Sequence, residues 1–425
     1  MKLALVSCRS PFVDDSKIYP PLGIMYLESI VQRELPRIET TLIDEYDLAN
    51  PSFFKPFDTI GVSIMTPQRK EALAILRAIK ENYPEKTVIA GGPHALHYFQ
   101  EIEQEPWDFI VKRDGERDLI RILKKETRER VLEDNIPSQI LKQLPHPNRK
   151  KWRKFLEGYN YSLGGKKSAT MMTGRGCPEK CTFCEDSMTN IKWASPESID
   201  QQVQDMTDLG YRAVYIFDDL FAISMKMIIP YLESMKKRGM IFRCNGQARY
   251  FTRNGEEMAK LLADHGCYEI AFGFESGSQK ILDNVQKRTT VEQNYQSAEY
   301  ARRNGIKVKG FMMLGLPGEN KETIAETERF IRDSGMDDFQ LAIYYPYRGT
   351  QIRDNLDKGK DDLYFEGEGL GAYGQKGGST ESVVRTSNLN SGELLKIRDR
   401  LVKKYKPDAH KTMWAEDQFF DTHLK

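Results

Sequence analysis

Long apolar runs are missing from this 425-residue chain. Nothing in it approaches the roughly 18 consecutive apolar residues of a membrane span. An excess of either charge is missing too. Lys plus Arg number 63 and Asp plus Glu 62, for a net charge of +1, which leaves no electrostatic footprint for nucleic acid or an anionic membrane. Cysteine is scarce, with six residues at positions 8, 177, 181, 184, 244 and 267. In a large chain that spacing speaks against a disulfide framework. Leu5-Val6-Ser7-Cys8 has the form of a lipoprotein cleavage box, yet only seven residues precede Cys8, too few for a signal peptide. A buried first strand and a cytoplasmic protein are the expectation. Internal repeats and low-complexity tracts are also absent.

What is present is an ordinary globular mixture, 40% apolar and 29% charged, long enough for two or three domains. Short apolar segments alternate with helical ones from the start. Strands are expected at Lys2–Ser7, Ile38–Ile43, Thr59–Met65, Thr87–Ala90 and Phe109–Lys112, with helices at Leu22–Leu35 and from Pro67 to about Asn82. Such alternation implies a parallel sheet with helices on both faces. Its ligands would sit beyond the strands' carboxyl ends, near Ser7–Ser10, Ser63–Gln68, Gly91–His94 and Asp114–Glu116. A second series follows, at Ala169–Thr173, Ala213–Phe217, Ile241–Asn245, Glu269–Phe274, Val308–Leu314 and Phe339–Tyr344. Six such units suggest a partial barrel with its site at the strands' carboxyl ends.

The fold class is therefore α/β. A Rossmann-like doubly wound parallel sheet over 1–135 is followed by a linker over 136–168. A partial (β/α)6 barrel over 169–350 comes next, then a small C-terminal cap over 351–425. The cap region holds a glycine-rich stretch (Gly367, Gly369, Gly371, Gly374, Gly377, Gly378), a helix near Gly392–Tyr405, and an aromatic tail with Trp414, Phe419 and Phe420.

The strongest signal is Thr173-Gly174-Arg175-Gly176-Cys177-Pro178-Glu179-Lys180-Cys181-Thr182-Phe183-Cys184. Three thiols within eight residues can wrap one cluster corner, and Gly174 and Gly176 let the backbone approach. Three thiolates leave one iron of a 4Fe-4S cluster open. Structural zinc would want a fourth ligand, and the next candidates in the chain are Cys244 and His265. Cys8, Cys244 and Cys267 read as small buried hydrophobes.

The Cys177–Cys181–Cys184 motif with Phe183 resembles the signature of radical S-adenosylmethionine (SAM) enzymes. Further segments resemble the same family. Phe217-Asp218-Asp219 lies where these enzymes hold the SAM amino group, and Arg249 where they often bind its carboxylate. Gly273-Phe274-Glu275-Ser276-Gly277-Ser278 resembles the segment near the ribose. Gly315-Leu316-Pro317-Gly318-Glu319 and Tyr345-Pro346-Tyr347-Arg348-Gly349-Thr350 resemble the fifth- and sixth-strand endings. Read without the resemblance, Asp218 and Asp219 could be helix caps and Arg249 a salt-bridge partner. Glu275 on an apolar strand needs a partner if buried.

A parallel sheet ahead of such a barrel resembles the cobalamin-binding domain of the cobalamin-dependent subclass. The resemblance implies corrin and nucleotide-tail contacts from Pro21, Leu22, Gly23, Ser63, Met65, Thr66, Gly91, Gly92, His94, Gly115 and Glu116, with Gln68 and Arg69 in the loop at the lower face of cobalt. The Asp-x-His-x-x-Gly motif that supplies a cobalt-binding histidine in mutases is absent. Implied cofactors are a 4Fe-4S cluster, SAM and cobalamin, and the implied partners are an external one-electron reductant and a peptide or small-metabolite substrate. Three functions compete: a C-methyltransferase at an sp3 carbon, similar to the glutamine C-methyltransferases of methyl-coenzyme M reductase; a radical SAM enzyme of another class, such as a cyclase or one lacking cobalamin; and a non-enzymatic iron–sulfur carrier. Arg249, Glu275 and Gly315–Glu319 have no use in the third.

Overall fold

The computed structural model describes residues 1–9, 17–367 and 381–406. Ser10, the glycines from 369 to 378, Trp414, Phe419 and Phe420 lie outside the described residues. The chain divides into two compact units, one ending at Tyr159 and the other running on from Asn160.

The first unit is a six-stranded sheet in the order β2-β1-β3-β4-β5-β6. The strands are β1 (Lys2–Ser7), β2 (Glu39–Ile43), β3 (Thr59–Ser63), β4 (Thr87–Gly91), β5 (Phe109–Val111) and β6 (Val131–Leu132), and every pairing is parallel. Alternation along β1 explains the double winding. Leu3 and Leu5 join a core with helix Leu22–Glu34, whereas Ala4 and Val6 join another with helix Arg69–Asn82. The doubly wound reading holds.

Two expectations for this unit change. The third strand ends at Ser63, because Thr66–Gln68 forms a 3-10 turn and the helix begins only at Arg69. The stretch expected to be a linker is structured over most of its length. Just ahead of it Val131–Leu132 adds the sixth strand, and within it Leu141, Leu144, Leu156 and Tyr159 are buried in the same core as Leu3 and Leu5. Pro137 and Pro145 flank a short helix at Ser138–Gln143, a second helix follows at Arg153–Leu156, and the prolines do not mark an open tether.

The second unit is a seven-stranded sheet in the order β15-β14-β13-β12-β11-β8-β7. A two-residue Gly164-Gly165 turn, with both φ values positive, joins β7 (Ser162–Leu163) to β8 (Lys166–Met171) as a hairpin. Then follow a short ladder of β9 (Gly174–Arg175) with β10 (Lys192–Trp193), and the strands β11 (Ala213–Ile216), β12 (Ile241–Gly246), β13 (Cys267–Glu275), β14 (Lys307–Leu314) and β15 (Asp338–Ile343). From β8 to β15 the six strands are parallel, and β15 does not close on β8. This is the partial barrel. Val308, Met312 and Leu314 alternate toward a helix layer containing Ala298, Ile324 and Phe330. Past the barrel, β16 (Leu363–Phe365) and β17 (Val384–Thr386) form a hairpin, and helix Ser391–Tyr405 packs on β15. No helix among the described residues is long and apolar enough to cross a membrane.

If residues 136–159 belong to the first core, Leu141→Ala and Leu156→Ala each destabilise that unit by roughly 2–5 kcal/mol. Chemical denaturation followed by circular dichroism should show the loss, whereas a free linker would show none.

Candidate active site

The cysteine loop hangs from the carboxyl end of β8 and is drawn shut at its base by the β9–β10 ladder. Ala194 N–H donates to the Thr173 carbonyl at 2.8 Å, and Thr189 N–H to that of Cys177 at 2.9 Å. Gly176 has φ +98, and a Cβ there would lie 2.7 Å from the Asn190 carbonyl oxygen, so only glycine fits. Within the loop, Cys184 N–H turns back onto the Cys181 carbonyl at 3.1 Å. Burial pushes the Cys181 thiol up to about 11 against the opposing charge of Lys287, and the Cys184 thiol up to about 12 with Asp186 adding to the shift. Burial raises Cys177 as well, and a bound metal would favour the thiolate forms.

Neighbouring strand ends hold this loop. Beyond β11, Asp218 is buried, accepts from Thr173 N–H at 2.7 Å and receives the Thr173 hydroxyl. Burial pushes it up to about 7, against those hydrogen bonds. Asp219 accepts from Gly176 N–H at 3.0 Å. Beyond β12, Arg249 donates to Glu179, inside the cysteine loop, at 2.5 Å. These residues were expected to meet SAM, but as folded they brace the loop. Ser276 is fully buried and bonded to Thr327 at 3.0 Å, so its hydroxyl belongs to the framework.

Glu275 ends β13 at a bulge, with φ +63, a left-handed strain for a residue with a Cβ. Its carboxylate curls over Gly273, where a Cβ would stand 2.3 Å from Oε1, and accepts from Lys287 at 2.8 Å. Burial would lower the Lys287 pKa, but Glu275 and the thiols of Cys181 and Cys184 outweigh it and raise it. A buried cation thus faces two of the three cysteines, and it also lies 5.7 Å from the Phe183 ring centroid. Lys287 was not singled out from the sequence. The one signal available was the question of what partners a buried Glu275.

The turn after β14 is packed by the C-terminal segment. Glu319 is buried, and its carboxylate accepts from Gly315 N–H at 2.5 Å. Burial pushes it up to about 8. Thr386 donates to the Glu319 carbonyl at 3.0 Å and Asp362 accepts from Gly318 N–H at 2.7 Å. Tyr344 and Tyr345 are buried in the barrel core.

Residues 171–331 match the Radical SAM superfamily. The barrel unit carries a radical SAM domain. Beyond it, the chain is 27% identical over 361 residues to a protein of Pyrococcus horikoshii described as an uncharacterized methyltransferase, covering 78% of this chain and 77% of that one. It is 24% identical over 380 residues to the anaerobic magnesium-protoporphyrin IX monomethyl ester cyclase of Rubrivivax gelatinosus, covering 82% of this chain and 65% of the cyclase. Among solved structures, the radical SAM methyltransferase TsrM from Kitasatospora setae, with cobalamin and a 4Fe-4S cluster bound, superposes with a TM-score of 0.70 at 16% identity, over 88% of this chain and 82% of TsrM.

The radical SAM domain's donor set suits a cluster with one open corner. Both candidates for a fourth zinc ligand are engaged elsewhere. Cys244 is fully buried within β12, and His265 bonds Leu261 and Glu233 ahead of β13, at the amino ends of the strands.

In the first unit, the carboxyl edge of the sheet is a row of small residues. Ser7, Ser63 and Gly91 lie side by side across β1, β3 and β4. Gly92, with φ +94, sets the next loop against Ile64, where a Cβ would meet the carbonyl oxygen at 2.8 Å. Gly23 opens helix Leu22–Glu34 with no atom within 4 Å of where its Cβ would be, and Met65 is exposed. Other expected contacts turn inward. Gln68 spends its amide on the Cys8 carbonyl at 2.6 Å and on Met65 N–H at 3.0 Å. His94 is 0% exposed and stacked on Tyr98, so its ring presents no nitrogen at the strand ends. Thr66 and Glu116 are buried as well, and Arg69 donates to the Thr66 carbonyl at 3.2 Å. Gly115 opens helix Gly115–Leu123 in contact distance of Leu27.

Because Gly176 admits no side chain, Gly176→Ala should leave the far-ultraviolet spectrum intact. After anaerobic reconstitution it should cut iron content severalfold.

Proposed function

We propose that the protein is a cobalamin-dependent radical SAM methyltransferase acting on an unactivated sp3 carbon, in a protein residue such as glutamine or in a small metabolite. The observation that carries this reading is a radical SAM cysteine triad with no fourth protein ligand among the described residues, in one chain with a parallel sheet whose carboxyl edge is lined by Ser7, Ser63 and Gly91 and where His94 is buried. The methyltransferase relative and the cobalamin-bound TsrM support it. When bound, the cluster, SAM and cobalamin supply the electron, the radical precursor and the methyl group.

The chain's own residues position those groups. Cys177, Cys181 and Cys184 would hold the cluster. Lys287, Glu275 and Asp219 bring charge beside the open corner, suited to the zwitterionic methionyl end of SAM. Ser63, Gly91 and Gly92 would let a broad flat ligand approach the backbone closely, with Met65, Thr66 and Arg69 beneath it and Pro21, Leu22 and Gly23 at its side. The segment after β15 would shape the substrate mouth. A reducing, cytoplasmic setting belongs to this reading, since all six cysteines are unpaired and the cluster needs an external electron donor.

Two measurements test it. Replacing any one of the three cysteines with Ala should abolish 5′-deoxyadenosine formation, and a variant that keeps both iron and SAM cleavage removes that cysteine from the site. With candidate peptides and metabolites, turnover should release S-adenosylhomocysteine and 5′-deoxyadenosine in near-equal amounts. Turnover that yields 5′-deoxyadenosine and product without S-adenosylhomocysteine would favour a cyclase-type reaction, the reading that the Rubrivivax relative supports.

The buried His94 gives a separate expectation. Bound cobalamin should carry no histidine on cobalt. Electron paramagnetic resonance of the Co(II) form should therefore lack nitrogen superhyperfine splitting from the protein.

A further inference from the structure

Glu179 lies between the first two cysteines, where the chain must bend around whatever it holds, yet it is a carboxylate only 3% exposed. Its Oε1 accepts from Arg249 Nη2 at 2.5 Å and from the Tyr250 hydroxyl. Arg249 also donates to the Tyr250 oxygen at 2.8 Å and stacks 4.7 Å from its ring centroid. The same residue secures the loop through its backbone. Its carbonyl accepts from Met188 N–H at 2.7 Å. One side chain thus ties the Cys177–Cys181 arm to the residues that follow β12, and the main chain of the same residue ties that arm to the far side of the loop.

We propose that Glu179 is a positioning residue for the cluster, and that Arg249 acts on the cysteine loop through it, not on the SAM carboxylate. The proposal rests on the reading of Cys177, Cys181 and Cys184 as cluster ligands. Breaking a buried pair strands a charge without its partner, and here the stranded charge lies inside the loop that must keep three sulfurs in register. Arg249 is a quarter exposed, which moderates the effect. The buried cation left to face an anionic ligand at the open corner is Lys287.

The test uses the full chain, reconstituted anaerobically, as wild type, Glu179→Gln, Arg249→Gln and the double variant. Gln keeps the size and one acceptor of Glu, and circular dichroism checks folding. Two quantities are read: the rate of iron release to a chelator, and the dissociation constant for SAM. Each single variant should release iron about tenfold faster, and the double variant no faster than the worse single, because both act through one pair. SAM affinity should shift about equally in the two singles. Tyr250→Phe, which leaves the ion pair in place, should fall between wild type and Glu179→Gln. Iron release within twofold of wild type in both singles overturns the proposal. So does an Arg249→Gln variant that loses SAM binding while Glu179→Gln keeps it, since that result makes Arg249 a direct SAM ligand. A wild-type protein that takes up no iron would instead refute the cluster reading itself.

Discussion

The barrel unit depends on holding a loop that has no core of its own. The stretch between β8 and helix Pro196–Asp208 carries three cysteines and a single two-residue ladder. Phe183 and Trp193 pack against the barrel core, but hydrophobic packing alone leaves the face toward a ligand unspecified. Charged groups at the neighbouring strand ends, some buried and some at the rim, help to fix it. Asp218 and Asp219 after β11 take the N–H groups of Thr173 and Gly176, and Arg249 after β12 takes Glu179. Carboxylates are costly to bury, and the cost shows as Asp218 pushed up to about 7. In exchange they aim charge-assisted hydrogen bonds at single backbone atoms.

The same economy governs the other strand ends. Glu275 adopts a left-handed backbone at a bulge and points back over Gly273 to Lys287. Glu319 pins the turn at Gly315 from within and is covered by the C-terminal hairpin through Thr386. Four of the six parallel strands, β11 to β14, are therefore followed by a carboxylate or a cation that serves the framework first. The open corner beside the cysteines is what remains when these groups have paired.

The alternation of apolar strands and helices was enough to place both sheets, because a parallel strand buried on two faces reads as a short apolar run. The cysteine spacing was enough to single out the loop that follows β8. Partnership was not legible. Asp218, Arg249 and Ser276 occupy the motif positions expected, yet their polar atoms go to Thr173, Glu179 and Thr327, contacts set by the loops between strands and not by spacing along the chain. Lys287 escaped notice because it sits twelve residues past Glu275, and only the bulge folds the two together. The segment 136–159 was misjudged for a related reason. Its prolines and basic residues look like a tether, while the leucines that bury it in the first core are too sparse to show a period.

In the first unit, the same comparison of sequence with structure bears on what the sheet can offer a ligand. Gly91-Gly92 followed by His94 invites the idea of a histidine set on a flexible turn. The turn is in fact rigid. Gly92 is glycine because Ile64 leaves no room for a Cβ, and the close approach carries His94 N–H onto the Ile64 carbonyl at 3.1 Å and its ring under Tyr98. Burial then pushes the imidazole down to about 4, with Arg69 adding to the effect, so the ring stays neutral at physiological pH. A neutral imidazole can bind a metal, but this one is sealed away from the row formed by Ser7, Ser63 and Gly91. The edge itself offers the hydroxyls of Ser7 and Ser63, the backbone at Gly91 and the exposed Met65.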